Sequence, residues 1–137
     1  MCTRMTVPVL AVLCVVLALP AQAQEPSERP VGMATYYQCD PSMEARADTI
    51  VTETFAPVFD RLLSEGKITS WFWLAHQIGG KWRRLGGFYA SDMTALIEAR
   101  AELLAELQNH PAAGAEFNSI CYSHDDYVWR SIVSKPE

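Results

Sequence analysis

The sequence has no apolar stretch long enough to cross a membrane. Its longest apolar run, from Val7 to Leu19, has 13 residues, whereas a membrane-spanning helix needs about 20. Arg4 precedes this run, and the small-x-small site Ala21-Gln22-Ala23 follows it, a pattern typical of an export signal. We therefore predict a signal peptide over residues 1–23, and a product that is exported to the periplasm or the extracellular space and has no membrane segment after cleavage.

Basic residues are also scarce. The chain has 11 Lys and Arg against 16 Asp and Glu, and its longest basic block is Arg83-Arg84. Binding to nucleic acid needs a basic footprint for the phosphates, so we expect no nucleic-acid partner. Residues 24–30 carry two prolines and three charges without an apolar residue, which predicts a flexible leader. Residues 31–137 are then expected to form one domain.

Cysteine is the third scarcity. Of the four cysteines, Cys2 and Cys14 lie in the predicted signal, which leaves Cys39 and Cys121. Two cysteines permit a single intramolecular bond, and an oxidising compartment favours it. The alternative is a pair of buried free thiols, which are common in protein cores.

The first half of the predicted domain indicates a strand followed by a helix. Val31 to Cys39 is rich in β-branched and aromatic residues and ends at Asp40-Pro41, a helix-start signal with Asp as N-cap. Apolar residues then recur at helical spacing from Ala45 to Leu63. Pro57 lies inside this helix and lacks a backbone N–H, so we expect a kink or break there.

A β-hairpin is the clearest local pattern. Two strand-like runs, Ile68 to Ile78 and Lys81 to Ala90, flank Gly79-Gly80, which suits a two-residue turn with positive φ. Pairing Ile78 with Lys81 fixes the register and sorts the side chains onto two faces. One face carries Phe72, Leu74, His76, Ile78, Arg83, Leu85 and Tyr89, and the other carries Trp71, Trp73, Ala75, Trp82, Arg84 and Phe88.

A second helix and a last strand complete the order. Ser91-Asp92 is expected to cap a helix that ends near Asn109-His110. Ala112 to Phe117 is then expected to be a small-residue connector, and Asn118 to Val133 is expected to contain the last strand. The order βαββαβ predicts an α+β, ferredoxin-like fold with two helices on one face of an antiparallel sheet. Right-handed crossovers give the strand order 4-1-3-2, which brings Cys39 close to Cys121. Because the helices cover only one face and both hairpin faces are apolar, a second subunit is the expected cover, giving a homodimer.

With these elements in place, the chain resembles the dimeric α/β-barrel superfamily, in which two ferredoxin-like subunits pack their sheets face to face. The resemblance covers about Val31 to Val133 and rests on the element order, the YYQCDP junction, the SWFWLAHQIGGKWRRLGGFY hairpin and the CYSHDDYVWRS strand. The superfamily includes cofactor-independent monooxygenases, ligand cyclases, haem-degrading enzymes, stress-response proteins and plain ligand binders. It implies a pocket between sheet and helices rather than one reaction.

Two residues are candidates for catalysis. His76 lies mid-strand opposite Arg83, a neighbour that disfavours the imidazolium and leaves a neutral base or hydrogen-bond donor. Tyr37, on the first strand, would supply a phenol to the same cavity. The structural alternatives are a core histidine and an ordinary packed tyrosine.

Four further residues are candidates for ligand binding: Arg83, Trp73, Tyr89 and His124. Arg83 beside Trp73 would hold a small anion or an aromatic carboxylate, or would be a solvated edge charge. Ser123-His124-Asp125 looks like a hydrolase triad, but neighbours along a strand point to opposite faces, which excludes that reading. No spaced metal-ligand motif is present, so we expect no metal. We expect no cofactor either, with haem on His76 or His124 as a lesser branch.

The sequence therefore predicts an exported homodimeric α/β-barrel protein that binds a small apolar or aromatic molecule. Its chemistry would be cofactor-independent monooxygenation or isomerisation through His76 and Tyr37. The alternative is a non-catalytic structural or partner-binding dimer, in which the same aromatic residues form only core and interface.

Overall fold

The computed structural model describes residues 30–132. The predicted signal peptide, residues 24–29 of the predicted leader and residues 133–137 lie outside the described residues. The strands are β1 (Val31–Gln38), β2 (Ser70–Ala75), β3 (Arg84–Ala90) and β4 (Ser123–Arg130), and the helices are α1 (Glu44–Ile50), α2 (Ala56–Ser64), α3 (Met93–Leu107) and α4 (Pro111–Ile120). Among these residues no helix is long and apolar enough to span a membrane.

The four strands form one antiparallel sheet in the order β2-β3-β1-β4, so the predicted order is confirmed. β1 pairs with β3 from Val31 opposite Ala90 to Tyr37 opposite Arg84. It pairs with β4 without interruption along its whole length. β1 is therefore an interior strand, paired with β3 along one edge and with β4 along the other.

The first helix is interrupted where the sequence places Pro57. Between α1 and α2 the chain forms one π-helical segment, Val51–Phe55. Pro57 has no N–H to donate to the Glu53 carbonyl, so the α-helical hydrogen bonds are interrupted at this turn, and the chain forms a wider π-helical turn instead. The helix start differs from the prediction: α1 begins at Glu44. The Asp40 carboxylate instead accepts from the Ser42 backbone N–H at 2.8 Å.

The hairpin register is confirmed, but the strands are shorter than predicted. Trp73 pairs with Gly86, and the last pair is Ala75 with Arg84. Gly79 and Gly80 have φ of 76° and 74°, the left-handed geometry that the turn requires. Residues 76–83 form an irregular tip, so the side-chain alternation assumed from Ile78 to Lys81 does not hold there.

The segment expected to be a connector is the helix α4, so three helical units cover the sheet instead of two. Pro111 lies in its first turn, and Phe117 and Ile120 are buried. His110, expected to end the preceding helix, stands at the start of this one. The N-cap of α3 is as predicted, because the Asp92 carboxylate accepts from the Ala95 backbone N–H at 2.9 Å.

The core lies between the helices and one face of the sheet, in two clusters. One cluster is centred on Leu62, Ile68 and Leu96, and the other on Ala47, Ile50 and Phe117. The second cluster contains the predicted disulfide Cys39–Cys121, whose S–S distance is 2.04 Å. This bond joins the end of β1 to the end of α4 and is fully buried.

Candidate functional site

A cavity of about 340 Å³ lies between the helices and the sheet. Most of the aromatic side chains on the helix-facing side of β1, β2 and β3 line this cavity. Its apolar walls are formed by Met33, Val51, Phe55, Phe59, Trp71, Trp73, Phe88, Leu103, Leu104, Leu107 and Phe117. The volume is at the lower end of the range for small-molecule sites, which is about 300–1,000 Å³.

One side of the cavity is polar, and it is formed by facing residues of β1 and β4. Thr35 pairs with Asp126 and Tyr37 pairs with His124, so all four side chains lie on the helix-facing side of the sheet and line the cavity. The Thr35 hydroxyl donates to Asp126 Oδ1 at 2.7 Å. Arg100 on α3 approaches the other carboxylate oxygen of Asp126 at 3.7 Å.

Tyr37 is the polar side chain that aromatic rings enclose. Its ring lies 5.5 Å from that of Trp73, 5.2 Å from Phe117 and 6.0 Å from His124, between centroids. Burial raises the pKa of Tyr37 to about 12, the hydrogen bond with Thr35 acts against this rise, and the Asp126 charge adds to it. The phenol therefore keeps its proton throughout the neutral pH range.

The Trp73 indole is fixed by an ion pair behind the cavity wall. Its Nε1 donates to Asp48 Oδ1 at 2.8 Å. The same carboxylate accepts two hydrogen bonds from Arg84, at 2.7 Å and 2.8 Å, and these are the main reason that the pKa of Asp48 is lowered. Arg84 is only 6 % exposed, whereas the Asp48 side chain is 39 % exposed, so the pair is a bidentate contact between a buried guanidinium and a carboxylate at the surface. The indole consequently has one preferred position.

Gly86 leaves the space that this indole occupies. A Cβ built on Gly86 would lie 2.8 Å from Trp73 Cε3, which is closer than side-chain atoms pack. The absent side chain lets the indole lie across β3, with Tyr37 on its far side. Gly86 is thus a determinant of the cavity shape.

The structure brings together three of the six predicted site residues. Tyr37, Trp73 and His124 line the same cavity, whereas His76, Arg83 and Tyr89 do not line it. Arg83, predicted to hold an anionic ligand, donates through Nε to Glu44 Oε1 at 2.7 Å. This contact with α1 is a protein ion pair, and it also places Arg83 on the helix side, contrary to the predicted face.

His76 and Tyr89 lie elsewhere. His76 begins the hairpin tip, and its backbone N–H donates to the Arg83 carbonyl at 3.1 Å. Within the described part of the chain, its buried Nδ1 has no hydrogen-bond partner. Tyr89 contacts Phe72 and Trp129 with ring centroids 6.2 Å apart in each case, on the face of the sheet that the helices leave uncovered.

This uncovered face, called the open face below, carries an aromatic cluster. Tyr36 lies 5.5 Å from Tyr127 and 6.5 Å from Trp82, between ring centroids. Trp82 was expected on the opposite face, but it follows the irregular tip, where strand alternation does not apply. Tyr127 and Leu74 are about half exposed, so this apolar surface is accessible in the single chain.

Thr35, Asp126 and Phe117 are among the cavity residues that were not predicted as site residues. Phe117 was missed because its helix was taken as a connector, although Ala113, Phe117 and Ile120 have helical spacing. Thr35 and Asp126 are 91 residues apart in sequence, and only the pairing of β1 with β4 shows that they meet.

No protein-family model matches the chain, and no curated protein matches its sequence. Solved structures do match its fold. A NIPSNAP family protein from Agrobacterium tumefaciens has a TM-score of 0.60 and 15% identity, covering 76% of this chain and 87% of that one. A dimeric ferredoxin-like protein from an uncultured marine organism has a TM-score of 0.64 and 6% identity, covering 80% and 93%. The cofactor-independent oxygenase SnoaB from Streptomyces nogalater has a TM-score of 0.56 and 13% identity, covering 80% and 99%.

At these identities the likeness concerns the fold alone. It confirms the predicted α+β, ferredoxin-like class and the resemblance to dimeric α/β-barrel proteins as a resemblance of fold.

Proposed function

We propose that this chain is an exported homodimer that binds a small, largely aromatic or apolar molecule in the cavity between helices and sheet. The observation that carries the proposal is the cavity itself, which is walled by aromatic rings and has one polar side. A folded chain normally fills such a space with its own side chains, because interiors are close-packed. A pocket with apolar walls and a few convergent polar groups is the usual form of a ligand site.

The cavity dimensions limit the ligand. A volume of about 340 Å³ equals that of about ten water molecules, at about 30 Å³ each. It therefore suits a molecule of one or two fused rings. Offset and edge-on ring contacts with Trp73 and Phe117 would add stabilisation beyond the burial of apolar area.

The proposed chemistry is cofactor-independent, either monooxygenation or isomerisation, and it centres on Tyr37. The phenol is half-buried and protonated at neutral pH, so it can hydrogen-bond to a substrate oxygen and hold a proton there. His124 is the cavity histidine nearest to this phenol. His76 lies outside the cavity lining, so a role for it must be tested separately. SnoaB, described as a cofactor-independent oxygenase, has a similar fold, which supports this reaction class over others.

The open face supports the proposed homodimer. Tyr36, Trp82, Tyr127 and Trp129 form an accessible aromatic surface in the single chain, and apolar patches of this kind usually mark interfaces. One of the structures with a similar fold is described as dimeric. The buried disulfide supports the proposed export, because such bonds persist in oxidising compartments.

The same surface favours a second candidate, a non-catalytic dimer whose role is to bind a partner. The two candidates differ in what the cavity does. Native mass spectrometry of the full chain, produced in an oxidising compartment, tests both. We expect a dimer, and a retained small molecule would support the first candidate.

Substitutions in the cavity then separate binding from catalysis. Tyr37→Phe should weaken ligand binding or turnover. The matched control Tyr36→Phe removes a tyrosine hydroxyl from the open face and should leave ligand binding and turnover unchanged. His76→Ala tests the predicted catalytic histidine in the same assay. Unchanged affinity and turnover in both Tyr37→Phe and His76→Ala, with intact folding, would contradict the enzymatic proposal. A Soret absorbance band in the purified protein would contradict the cofactor-free part.

A further inference from the structure

The exposed end of the polar side of the cavity, called the mouth below, is formed by Arg100, Asn118, His124 and Asp126. Within residues 30–132, Arg100 on α3 and Asp126 on β4 are the only Lys, Arg, Asp or Glu side chains that line the cavity. Arg100 Nη2 and Asp126 Oδ2 are 3.7 Å apart, beyond the usual hydrogen-bond distance of about 2.7–3.2 Å. The pair is therefore loose, and a ligand can contact either member.

The two members of this pair differ in what they already bind. Asp126 Oδ1 accepts a hydrogen bond from the Thr35 hydroxyl at 2.7 Å, and Oδ2 faces Arg100. The Arg100 guanidinium carries five N–H donors in a planar fork, and none of them makes a hydrogen bond to the described residues. Arg84, by comparison, donates to Asp48 at 2.7 Å and 2.8 Å. Arg100 is thus a cation at the mouth whose donors are available to a ligand.

Two uncharged side chains add donors at the same place. Asn118 reaches the mouth from α4, and His124 reaches it from β4. In the part of the chain that the structure describes, neither side chain makes a hydrogen bond. An amide offers two N–H groups, and a neutral imidazole offers one. The free groups at the mouth are therefore mainly donors, which suits a ligand group that accepts hydrogen bonds and carries negative charge.

A carboxylate satisfies both conditions. Arginine binds carboxylates through two parallel N–H···O bonds, and Arg100 has donors on Nε and Nη1 that can hold a carboxylate away from Asp126. Because Arg100 is 44 % exposed, a carboxylate held there keeps part of its hydration, whereas its burial among the aromatic walls would be far more costly. An ammonium group would instead be repelled by Arg100 and would have to displace it from Asp126.

We infer that the cavity takes an aromatic carboxylate, with its rings among the aromatic walls and its carboxylate bound by Arg100 at the mouth. Asn118 and His124 donate further hydrogen bonds to the same group. This inference rests on the proposed function, because it names the chemical class of the ligand of the same cavity. It agrees with the donor role proposed for Tyr37, since the ligand presents oxygen acceptors to the protein.

Three probes with the same naphthalene body test the inference by calorimetric titration of the full chain at neutral pH. They are a naphthoate, which is an anion; the corresponding naphthamide, which has nearly the same shape without the charge; and the corresponding naphthylmethylamine, which is a cation. We expect the naphthoate to bind about tenfold more tightly than the naphthamide, the size of a hydrogen bond to a charged group at an exposed site. The naphthylmethylamine should bind most weakly.

Variants of Arg100 test the residue itself. Arg100→Gln should lower the affinity for the naphthoate to that for the naphthamide and leave naphthamide binding unchanged. Arg100→Lys keeps the charge without the planar fork, so it should keep part of the preference. The matched control is Arg130→Gln, which removes the same charge from an exposed residue of β4 that does not line the cavity. This control should keep the full preference for the naphthoate.

The outcomes separate the inference from the proposed function. Equal binding of naphthoate and naphthamide overturns the inference and leaves the ligand cavity standing. Tightest binding of the naphthylmethylamine also overturns it, in favour of a cation held by Asp126. Equal weakening of naphthoate and naphthamide by Arg100→Gln assigns Arg100 to the support of the cavity wall, and it overturns the inference too. If none of the three probes binds to the native chain, both the inference and the cavity-ligand proposal fail.

Discussion

Removal of the Cys39–Cys121 bond by double substitution to alanine should lower the free energy of unfolding by about 4.5 kcal/mol. The two cysteines are separated by 82 positions. For a closed loop of that length, the chain-entropy relation gives a loss of about 15 cal/mol/K in the unfolded state, which is about 4.5 kcal/mol at 25 °C. The bond is buried in the cluster that contains Phe117, so its removal should also loosen the cavity wall.

Urea denaturation measures this effect directly. With a slope of about 2 kcal/mol/M, typical of small domains, the midpoint should fall by about 2 M. The slope should also rise, because an unfolded chain without the cross-link exposes more surface. The matched control is the reducing agent itself, which should lower the midpoint of the native protein and leave that of the double variant unchanged.

A small shift would refute the reasoning. If the midpoint of the double variant falls by less than about 0.5 M, with an unchanged slope, the bond does not act by restricting the unfolded chain. The stability of the fold would then not depend on oxidising conditions.

Three further predictions follow from the cavity region. Gly86→Ala should destabilise the fold by about 1–3 kcal/mol in thermal unfolding, because its Cβ meets the indole ring beside it; Gly114→Ala, a helical site with nothing within 4 Å, should instead stabilise by about 0.5–1 kcal/mol. Asp48→Asn should reduce the loss of folding free energy in acid. Because Arg84 lowers the pKa of Asp48 from 3.8, the ionised carboxylate stabilises the wild type, and this stabilisation is lost as pH falls below about 4 towards the folded pKa, whereas the variant has no such carboxylate. Parallel curves of stability against pH for the two proteins would contradict this. In ultraviolet titration one tyrosine should ionise at about pH 12, and Tyr37→Phe should remove that step; the raised pKa also means that stability falls as pH rises from about 10 to 12.

Local patterns in the sequence predicted the sheet well. The alternation of aromatic residues and the Gly79-Gly80 turn determined the hairpin register, and the order of elements then determined which strands are neighbours. The prediction was wrong at the hairpin tip. Trp82 and Arg83 were assigned to faces by alternation, which is a property of paired strands and ends at Arg84.

The candidate site was only partly predictable, because it depends on contacts distant in sequence. Residue type and position on a predicted strand were enough to identify Tyr37, Trp73 and His124. Thr35 and Asp126 are ordinary polar residues until β1 and β4 pair. The wrong assignment of Arg83 has a different cause, since its partner Glu44 belongs to a helix whose position relative to the hairpin no local pattern gives.

The central position of β1 has a consequence for the order of events during synthesis. Among the described strands β1 is the first in sequence, yet both of its neighbours come later, and its partner β4 is the last of them. Until β4 is available, one edge of β1 is unpaired and Thr35 has no Asp126 to bind. The sheet therefore cannot be completed before β4 joins it, and contacts this distant in sequence form slowly. A chain truncated before Ser123 would lose the polar side of the cavity together with the strand that closes the sheet.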